Sequence, residues 1–293
     1  MPCYHPIPAW YGKGKTVNGK VEIVFSPVDG VNERRRLEIP CGGCVGCKLE
    51  RARQWAMRCV HESKLWSDNC FVTLTYRDDA VPKDGSLRPR DFVLFMKRLR
   101  KRVGAGVRFF QCGEYGDVTK RPHHHVLLFN FRPNDLVFCK VSKGGDRLYT
   151  SRVLEELWGY GFCWIGNVTF QSAGYIARYT LKKLTGLAAV SYYNGRVPEY
   201  LTMSRRPGIG HDWAIRYLSD FYCRDSVIVG GSPSKPPKYY DSLCEKREPE
   251  VLRRVKRLRR EAAAESPDNS GARLIVREAV KRSAVSSLSR VGD

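Results

Sequence analysis

The pattern of apolar and polar positions predicts strands and helices in alternation between residues 69 and 185. Runs rich in Phe, Val, Thr and Tyr are typical of β-strands, and they occur at residues 70–76, 107–115, 123–131 and 162–170. Apolar residues at helical spacing predict helices at residues 91–103, 154–158 and 172–184. Strands with interposed helices favour an α+β fold, in which helices cover one face of an antiparallel sheet.

The regions on both sides of this core have a different character. A helix free of Gly and Pro is predicted at residues 48–66, a hairpin around residues 21–25 and a further helix at residues 212–222. The run GGSPSKPP after residue 229 is typical of a linker. We therefore expect four parts: an N-terminal segment with a cysteine cluster and a helix (1–66), a working core (67–185), an accessory helical segment (186–230) and a basic, partly disordered linker and tail (231–293).

Composition and charge narrow the class of partner. A hydrophobic fraction of 42% is that of a folded chain, and the formal net charge is +21. Residues 241–293 carry 13 Lys and Arg against 9 Asp and Glu, so 17 of the net positive charges belong to residues 1–240. A basic body favours nucleic acid as the partner. Because neither a bilayer-spanning apolar stretch nor a signal peptide is present, we expect an intracellular protein without membrane contact.

Three of the six histidines, His123, His124 and His125, stand together in the predicted strand PHHHVLLFNF. Side chains alternate along a strand, so His123 and His125 share one face while His124 points to the other. Glu114 lies nine positions before His123 and would sit opposite it if the two strands form a hairpin. One Glu and two His suit Mg²⁺, Mn²⁺ or a similar divalent ion that also binds phosphate. The alternative is a histidine-rich strand with structural hydrogen bonds.

Two tyrosines, Tyr175 and Tyr179, lie four residues apart in the predicted helix SAGYIARYTLKK. Helical spacing places both phenols on one face, with Lys182 and Lys183 beyond them and Arg178 three residues after the first. A phenol with a pKa of about 10 is a poor nucleophile, and it needs cations or a metal nearby. The alternative is an amphipathic helix with half-buried tyrosines.

A cysteine cluster, Cys41, Cys44 and Cys47, has the paired C-x-x-C spacing that suits Zn²⁺ in a reducing compartment. The candidates for the fourth ligand are Cys3, which completes the preferred set, Cys59 and His61. A zinc ion here would have a structural role, tying the N-terminal segment to the following helix. An iron–sulfur cluster and buried free thiols are the alternatives.

Two other features are expected to be structural. The stretch RRVKRLRR at residues 253–260 is typical of a solvated charged helix, although it could also grip DNA or a partner protein. The tryptophans are expected to pack in the core or between helices, and these are Trp55, Trp66, Trp158, Trp164 and Trp213.

Three segments in order carry a resemblance: FVTLTY at 71–76, RPHHHVLLF at 121–129 and YIARYTLKK at 175–183. They resemble the three motifs of rolling-circle replication initiators of the HUH endonuclease class, and most closely those of gokushoviruses, small single-stranded DNA phages of the microvirus family. The resemblance extends over roughly residues 1–220, with further similarity at 40–59, 109–116 and 204–210. One departure is His124, where the family usually has a hydrophobic residue.

The resemblance implies a role for each matching residue. His123 and His125 would be the paired histidine ligands of a Mg²⁺ or Mn²⁺ ion, with Glu114 as the acidic ligand from the neighbouring strand. Tyr175 and Tyr179 would be the two nucleophiles that act alternately on DNA. The fold implied is that of the HUH endonucleases.

Further residues of the same motifs have implied supporting roles. Lys182 would assist at the phosphate, and Arg178 and Lys183 would contact DNA. Thr73 and Thr75 belong to the first motif and are expected to be structural.

The implied activity is that of a metal-dependent DNA endonuclease and strand transferase. It would nick single-stranded or extruded origin DNA, form a 5′-phosphotyrosine bond and leave a 3′-OH that primes a host polymerase, with a host helicase as a further partner. The expected location is the cytoplasm of a bacterial host. The competing interpretations are a zinc-containing DNA-binding regulator without catalysis, and a related HUH transposase or relaxase.

Overall fold

The computed structural model describes residues 3–17, 19–31, 36–142, 144–182 and 187–286, and for 179–182 and 187–188 it describes the backbone only. The chain forms two compact units. One contains the described residues up to Glu50 and those from Leu258 onward, and the other spans Arg51–Arg257.

Strands and helices alternate irregularly along the chain. The strands are β1 (Ile7–Lys15), β2 (Val21–Val24), β3 (Leu37–Ile39), β4 (Asn69–Thr75), β5 (Arg108–Tyr115), β6 (Pro122–Phe129), β7 (Val137–Val141), β8 (Arg147–Thr150), β9 (Cys163–Gly166), β10 (Tyr200–Met203), β11 (Val227–Val229) and β12 (Ser232–Ser234). The helices are α1 (Val45–Ser63), α2 (Pro89–Val103), α3 (Arg152–Trp158), α4 (Phe170–Lys182), α5 (Leu187–Tyr193), α6 (His211–Arg216), α7 (Leu218–Cys223), α8 (Lys238–Arg247), α9 (Pro249–Glu265) and α10 (Gly271–Ser286), with a 3-10 turn at Pro267–Asn269.

The centre of the larger unit is a seven-stranded sheet in the order β10-β5-β6-β4-β9-β8-β7. Every neighbouring pair is antiparallel, so the antiparallel sheet expected from the sequence is confirmed. The sequence pattern does not predict β7, β8 and β10. Each has only four or five residues, and such short segments are defined by the neighbour with which they pair.

Helices cover both faces of this sheet, which corrects the expectation of one covered face. In β6, Val126 and Leu128 pack in a cluster with α2 and α3, whereas Leu127 and Phe129 pack in a second cluster with α1 and α4. The apolar run VLLF at residues 126–129 is continuous because both faces of β6 are buried.

Helix α2 supplies most of its expected apolar stripe. Phe92, Phe95, Met96 and Leu99 are buried against the sheet. Val103 continues the same helical spacing, but it is the last residue of the helix and is 46% exposed.

Two elements have other boundaries than the sequence pattern predicts, and in each case the cause is local. The strand predicted at 162–170 ends at Gly166, because Thr169 and Ser172 exchange side-chain to backbone hydrogen bonds and begin α4. The single helix predicted at 212–222 is two helices, α6 and α7, separated at Tyr217, whose φ of −114° and ψ of 18° are not helical.

The smaller unit contains the sheet β2-β1-β3, the start of α1 and the helix α10. The predicted hairpin is present as β1 and β2, with Tyr11 paired to Ile23 and Lys15 to Val21. None of the helices in the described ranges combines the length and apolar character needed to span a bilayer.

His124 is fully buried on the face of the sheet that packs against α2 and α3. Its Nδ1 accepts a hydrogen bond from the Gln111 amide at 3.1 Å, and its Nε2 lies 3.4 Å from the Tyr76 hydroxyl. The Tyr76 hydroxyl in turn donates to Asp91 at 2.8 Å. Burial, reinforced by His123 and His125, lowers the pKa of His124 to about 3, so the ring is neutral.

This buried imidazole predicts acid sensitivity of folding. Below the ordinary histidine pKa of about 6.5, the unfolded chain binds a proton that the folded chain excludes until about pH 3, so stability falls as pH falls through this window. We expect His124 to account for a loss of about 2 kcal/mol between pH 7 and pH 5. Urea unfolding of wild type and His124→Gln at both pH values measures it, and an equal pH dependence in the two proteins would contradict the assignment.

Gly161 brings the segment before β9 against the end of β4. A Cβ at this position would overlap the carbonyl oxygen of Thr75 and lie 2.6 Å from the backbone nitrogen of Arg77. Both neighbours are backbone atoms and cannot turn away. Only glycine allows this approach, which aligns Phe162 with Thr75.

We therefore expect Gly161→Ala to lower the free energy of unfolding by about 1–3 kcal/mol, because the added methyl group overpacks this contact. Gly166→Ala in β9 is the matched control, because its Cβ would meet nothing closer than 3.6 Å. Urea unfolding midpoints test the pair. Equal stability of the two variants would show that the backbone at Gly161 has room to move.

Candidate functional site

Three predicted ligand residues meet on the sheet face that carries α1 and α4. Glu114 in β5 is paired directly with His123 in β6, and His125 lies two residues further along the same strand. Cross-strand partners share a face, and residues two apart in a strand also share it. The predicted hairpin register is therefore present, and it brings Glu114, His123 and His125 together.

The distances between the ligand atoms are short. Glu114 Oε1 lies 2.8 Å from His123 Nε2 and 3.4 Å from His125 Nε2, and the two Nε2 atoms are 3.1 Å apart. Three ligands on one face of an octahedral ion, with bonds of about 2.1 Å, lie about 3.0 Å apart. This donor set fits a divalent ion.

The other atoms of the three side chains support the same fit. His123 Nδ1 lies 3.1 Å from the Arg121 carbonyl, and His125 Nδ1 lies 2.8 Å from Thr73 Oγ1. Hydrogen bonds at Nδ1 orient each ring with Nε2 toward the cluster. Glu114 Oε2 is buried and has no hydrogen-bond partner among the described residues, an arrangement that a cation would relieve.

Glu114 is ionised although it is buried. Burial opposes its charged form, but the hydrogen bonds from His123 and His125 outweigh this and lower the pKa of the carboxyl to about 2. The site therefore presents a carboxylate across the physiological pH range.

Tyr175 stands beside this cluster on α4. Its ring meets the His125 ring edge-on with centroids 5.1 Å apart, and it also contacts Phe71 at 6.3 Å. Ala173 and Ile176, which are fully buried, hold α4 on the sheet. A phenol is thus present next to the histidine pair.

The remaining predicted residues of α4 are described less fully. Tyr179 and Lys182 are helical, four and seven residues after Tyr175, but their side chains lie outside the described residues. Arg178 is exposed on the helix surface, and Lys183 lies outside the described residues altogether.

Two features of this face do not follow from the sequence pattern. Thr73 was expected to be structural, and its hydroxyl lies 2.8 Å from His125 Nδ1, where it orients this ring. Trp164 was grouped with core tryptophans, yet it is paired with Thr73 and lies on the site face, only partly buried. The alternation of side chains along β9 assigns Trp164 to this face only once β9 is known to pair with β4.

The predicted cysteine ligands form a second cluster in the smaller unit. The Sγ atoms of Cys3, Cys41, Cys44 and Cys47 lie within 4.8 Å of one another, and those of Cys41 and Cys47 are 4.0 Å apart. Sulfurs around a tetrahedral zinc ion, with bonds of about 2.3 Å, lie about 3.8 Å apart. The four thiols therefore fit such an ion.

Backbone N–H groups point at these sulfurs. The N–H groups of Tyr4 and Cys47 donate to Cys44 at 3.4 Å each, and those of Cys41 and Cys44 donate to Cys3 and Cys41 at 3.3 Å. Burial opposes ionisation of Cys44, yet these hydrogen bonds outweigh it and lower its pKa to about 6. The arrangement favours the thiolate of Cys44, the form that binds metal, whereas burial raises the pKa of Cys3 and of Cys47.

The two alternatives for the fourth ligand are engaged elsewhere in the larger unit. Cys59 is buried in the cluster between α1 and the sheet. His61 Nδ1 lies 2.8 Å from the Tyr240 hydroxyl, and its ring stacks on Trp213. All eleven cysteines lie in the described part of the chain, and none forms a disulfide.

Comparison with known proteins adds an independent observation. A family model described as replication-associated protein ORF2/G2P matches residues 69–184, which include both strands of the cluster and α4. The chain is 37% identical over 262 residues to replication-associated protein VP4 of Bdellovibrio phage phiMH2K, covering 85% of this chain and 79% of the relative. No solved structure matches.

Two further relatives have related names. Replication-associated protein ORF2 of Spiroplasma virus 4 is 36% identical over 223 residues, covering 71% of this chain and 68% of the relative. Replication-associated protein ORF4 of Chlamydia phage 1 is 29% identical over 230 residues, covering 75% and 57%. With its sheet, its cluster and these similarities, the chain belongs to the family of microvirus replication-associated proteins.

Proposed function

We propose that this chain is a replication initiator of the HUH endonuclease class, which nicks and rejoins single-stranded DNA at an origin through a 5′-phosphotyrosine. The observation that carries the proposal is the position of Tyr175, whose ring lies 5.1 Å from that of His125 in the Glu114, His123 and His125 cluster. A nucleophile and a candidate ligand set therefore share one face of the sheet.

Glu114, His123 and His125 would hold Mg²⁺ or Mn²⁺. When bound, such an ion supplies a Lewis acid that polarises the scissile phosphate and stabilises the charge that grows on its oxygens. The protein contributes orientation, because Thr73 and the Arg121 carbonyl hold the two imidazole rings with Nε2 toward the cluster.

The tyrosines would exchange DNA strands. The phenol oxygen of one tyrosine attacks phosphorus, the bond from phosphorus to the 3′ oxygen breaks, the phenol loses its proton and the 3′ oxygen gains one. The products are a 5′-phosphotyrosine and a free 3′-OH. The second tyrosine, one helical turn away in α4, would cut the regenerated origin so that the released 3′-OH closes the displaced circle.

Basic side chains would hold the substrate strand. We assign Lys182 to the phosphate at the cleavage site and Arg178 and Lys183 to the flanking DNA backbone. The net charge of +21 supports binding to a polyanion. The substrate would be single-stranded or extruded, because a phosphate in a regular duplex is difficult to align with a short phenol.

The names of the relatives, replication-associated proteins, support a role in replication. The 3′-OH left by the nick would prime a host polymerase, and a host helicase would separate the strands ahead of it, in the cytoplasm of the infected bacterium. The proposed strand transfer would support rolling-circle synthesis of a small phage genome.

The covalent bond gives the first test. Single-stranded oligonucleotides that tile the encoding genome, labelled at the 5′ or the 3′ end, are incubated with the full chain and Mn²⁺ and run on denaturing gels. We expect the 3′-labelled fragment to stay attached to protein and the 5′-labelled fragment to be released. His123→Ala should lower adduct formation by at least about 100-fold, because one of the groups that stabilise the transition state is lost.

The tyrosine variants complete this test. Adduct should be lost in the double variant Tyr175→Phe/Tyr179→Phe and kept in Tyr217→Phe, a control whose side chain is exposed on another part of the unit. An adduct that survives the double variant would refute the nucleophile assignment. A chain that binds DNA without any adduct would favour a non-catalytic regulator, and a 3′-phosphate linkage would favour a different strand-transfer enzyme.

We further propose that the four cysteines hold a structural Zn²⁺. The ion would join Cys3 near the N-terminus to the segment that leads into α1, in a small unit whose three-stranded sheet has little buried apolar surface.

The second test is the metal content of the purified chain. We expect one zinc per chain in wild type, loss of zinc in Cys3→Ser, and retention in Cys223→Ser, which alters an exposed cysteine outside the cluster. Elemental analysis measures the content, and Co²⁺ substitution distinguishes thiolate from imidazole ligands by charge-transfer absorption. Zinc that persists in Cys3→Ser would show that this thiol is not a ligand.

A further inference from the structure

The strand register extends the site face beyond the ligand cluster. Thr75 is paired with His123 on one side, and it exchanges backbone hydrogen bonds of 3.0 and 3.1 Å with Phe162 on the other. One row across the sheet therefore runs from Glu114 through His123 and Thr75 to Phe162.

A second, parallel row lies two residues further along the strands. His125 is paired with Thr73, and Thr73 is paired with Trp164 in β9. Because paired residues share a face, Phe162 and Trp164 stand on the same face as the ligands, one strand beyond the two threonines.

Helix α4, which carries the tyrosines, packs most closely against β5, β6 and β10, and its Tyr175 ring also contacts Phe71 in β4. Phe162 is 55% exposed and Trp164 is partly exposed. Their separation of two residues, about 6.8 Å along the strand, gives each ring room to stack a separate base.

A lysine adjoins these rings. Lys140 in β7 is exposed, and its Nζ lies 4.4 Å from the centroid of the Trp164 ring. It is paired with Leu148, whose side chain lies near Gly166 in β9. A cation beside exposed aromatic rings is the combination that binds single-stranded nucleic acid, since the rings stack bases and the cation contacts phosphate.

We propose that Phe162, Trp164 and Lys140 form a binding track for single-stranded DNA that leads to the ligand cluster. This inference rests on the proposed function, in which the substrate is single-stranded DNA. It places the contact between the track and DNA on one side of the scissile phosphate. Phe162 stacks a base next to the scissile phosphate, Trp164 stacks a neighbouring base, and Lys140 pairs with the backbone between them. The track positions the strand and takes no part in bond cleavage.

The opposite face of the hairpin formed by β7 and β8 offers a matched control. Phe138 in β7 is 48% exposed, and the Arg147 guanidinium lies 5.0 Å from its ring centroid. Phe138 is paired with Tyr149, which belongs to the cluster packed against α2 and α3. An exposed ring with a cation thus exists on each face, but only one face carries the ligand cluster.

The test measures the affinity of the full chain for a fluorescein-labelled, mixed-sequence single strand of about 16 nucleotides by fluorescence anisotropy. No Mg²⁺ or Mn²⁺ is added, so that binding is measured without cleavage. We expect Phe162→Leu to weaken binding by about 5- to 150-fold, since leucine keeps the apolar contact but cannot stack a base. Phe162→Trp should restore the affinity.

Lys140→Ala has a distinct signature. It should lower the slope of the logarithm of affinity against the logarithm of salt concentration by about 0.7, the value for one phosphate contact on a single strand. Phe162→Leu should leave that slope unchanged, and Phe138→Leu and Arg147→Ala on the other face should match wild type in both quantities.

The outcomes separate this inference from the nicking proposal. Wild-type affinity and slope in both Phe162→Leu and Lys140→Ala would overturn the track, even where the covalent adduct forms normally. Equal losses of affinity in the variants of the two faces would overturn the track as well, because binding would then depend on the overall positive charge of the protein and not on the face that carries the ligand cluster. The expected losses without any adduct would support the track and count against nicking.

Discussion

The antiparallel register of β4, β6 and β5 is the constraint on which the candidate site depends. It pairs Glu114 with His123 and Thr73 with His125, so four side chains from three strands meet on one face. A slip of one residue in β6 would send both histidines to the opposite face and bring His124 into their place. The apolar residues that follow in β6 resist such a slip, because Leu127 and Phe129 would exchange burial partners with Val126 and Leu128.

Burial of polar groups accompanies this arrangement and makes it specific. His124 is accommodated in the apolar face only as a neutral ring with hydrogen-bond partners, since a buried charge without a partner is costly. On the other face, Glu114 keeps its charge through its two imidazole neighbours and leaves one oxygen without a partner among the described residues. The sheet therefore separates a closed polar network on one side from an incompletely satisfied cluster on the other, and the second is the one suited to a ligand.

The smaller unit meets a different physical problem. Its sheet exposes Val21 and Ile23, Phe25 directly after β2 is exposed as well, and burial is concentrated around the four thiols. A domain with so little core needs another source of stability, and metal coordination is a common one. Backbone N–H groups donate to the sulfurs of Cys3, Cys41 and Cys44, and such donors stabilise a thiolate. The proposed zinc ion would then stabilise a fold that apolar burial supports only weakly.

The sequence alone determined the features that depend on near neighbours. Apolar runs and helical spacing located β4, β5, β6, α2 and α4, and strand alternation separated His123 and His125 from His124, because these patterns repeat within a few residues. The pairing of Glu114 with His123 also followed, since a short hairpin joins them. Tertiary structure decided the rest. It brings Cys3 to the group formed by Cys41, Cys44 and Cys47. It also places helices on both faces of the sheet and Trp164 on the face that carries the ligand cluster. These depend on contacts between residues far apart in the chain, and the periodicity of a single segment carries no information about which strand will lie beside it.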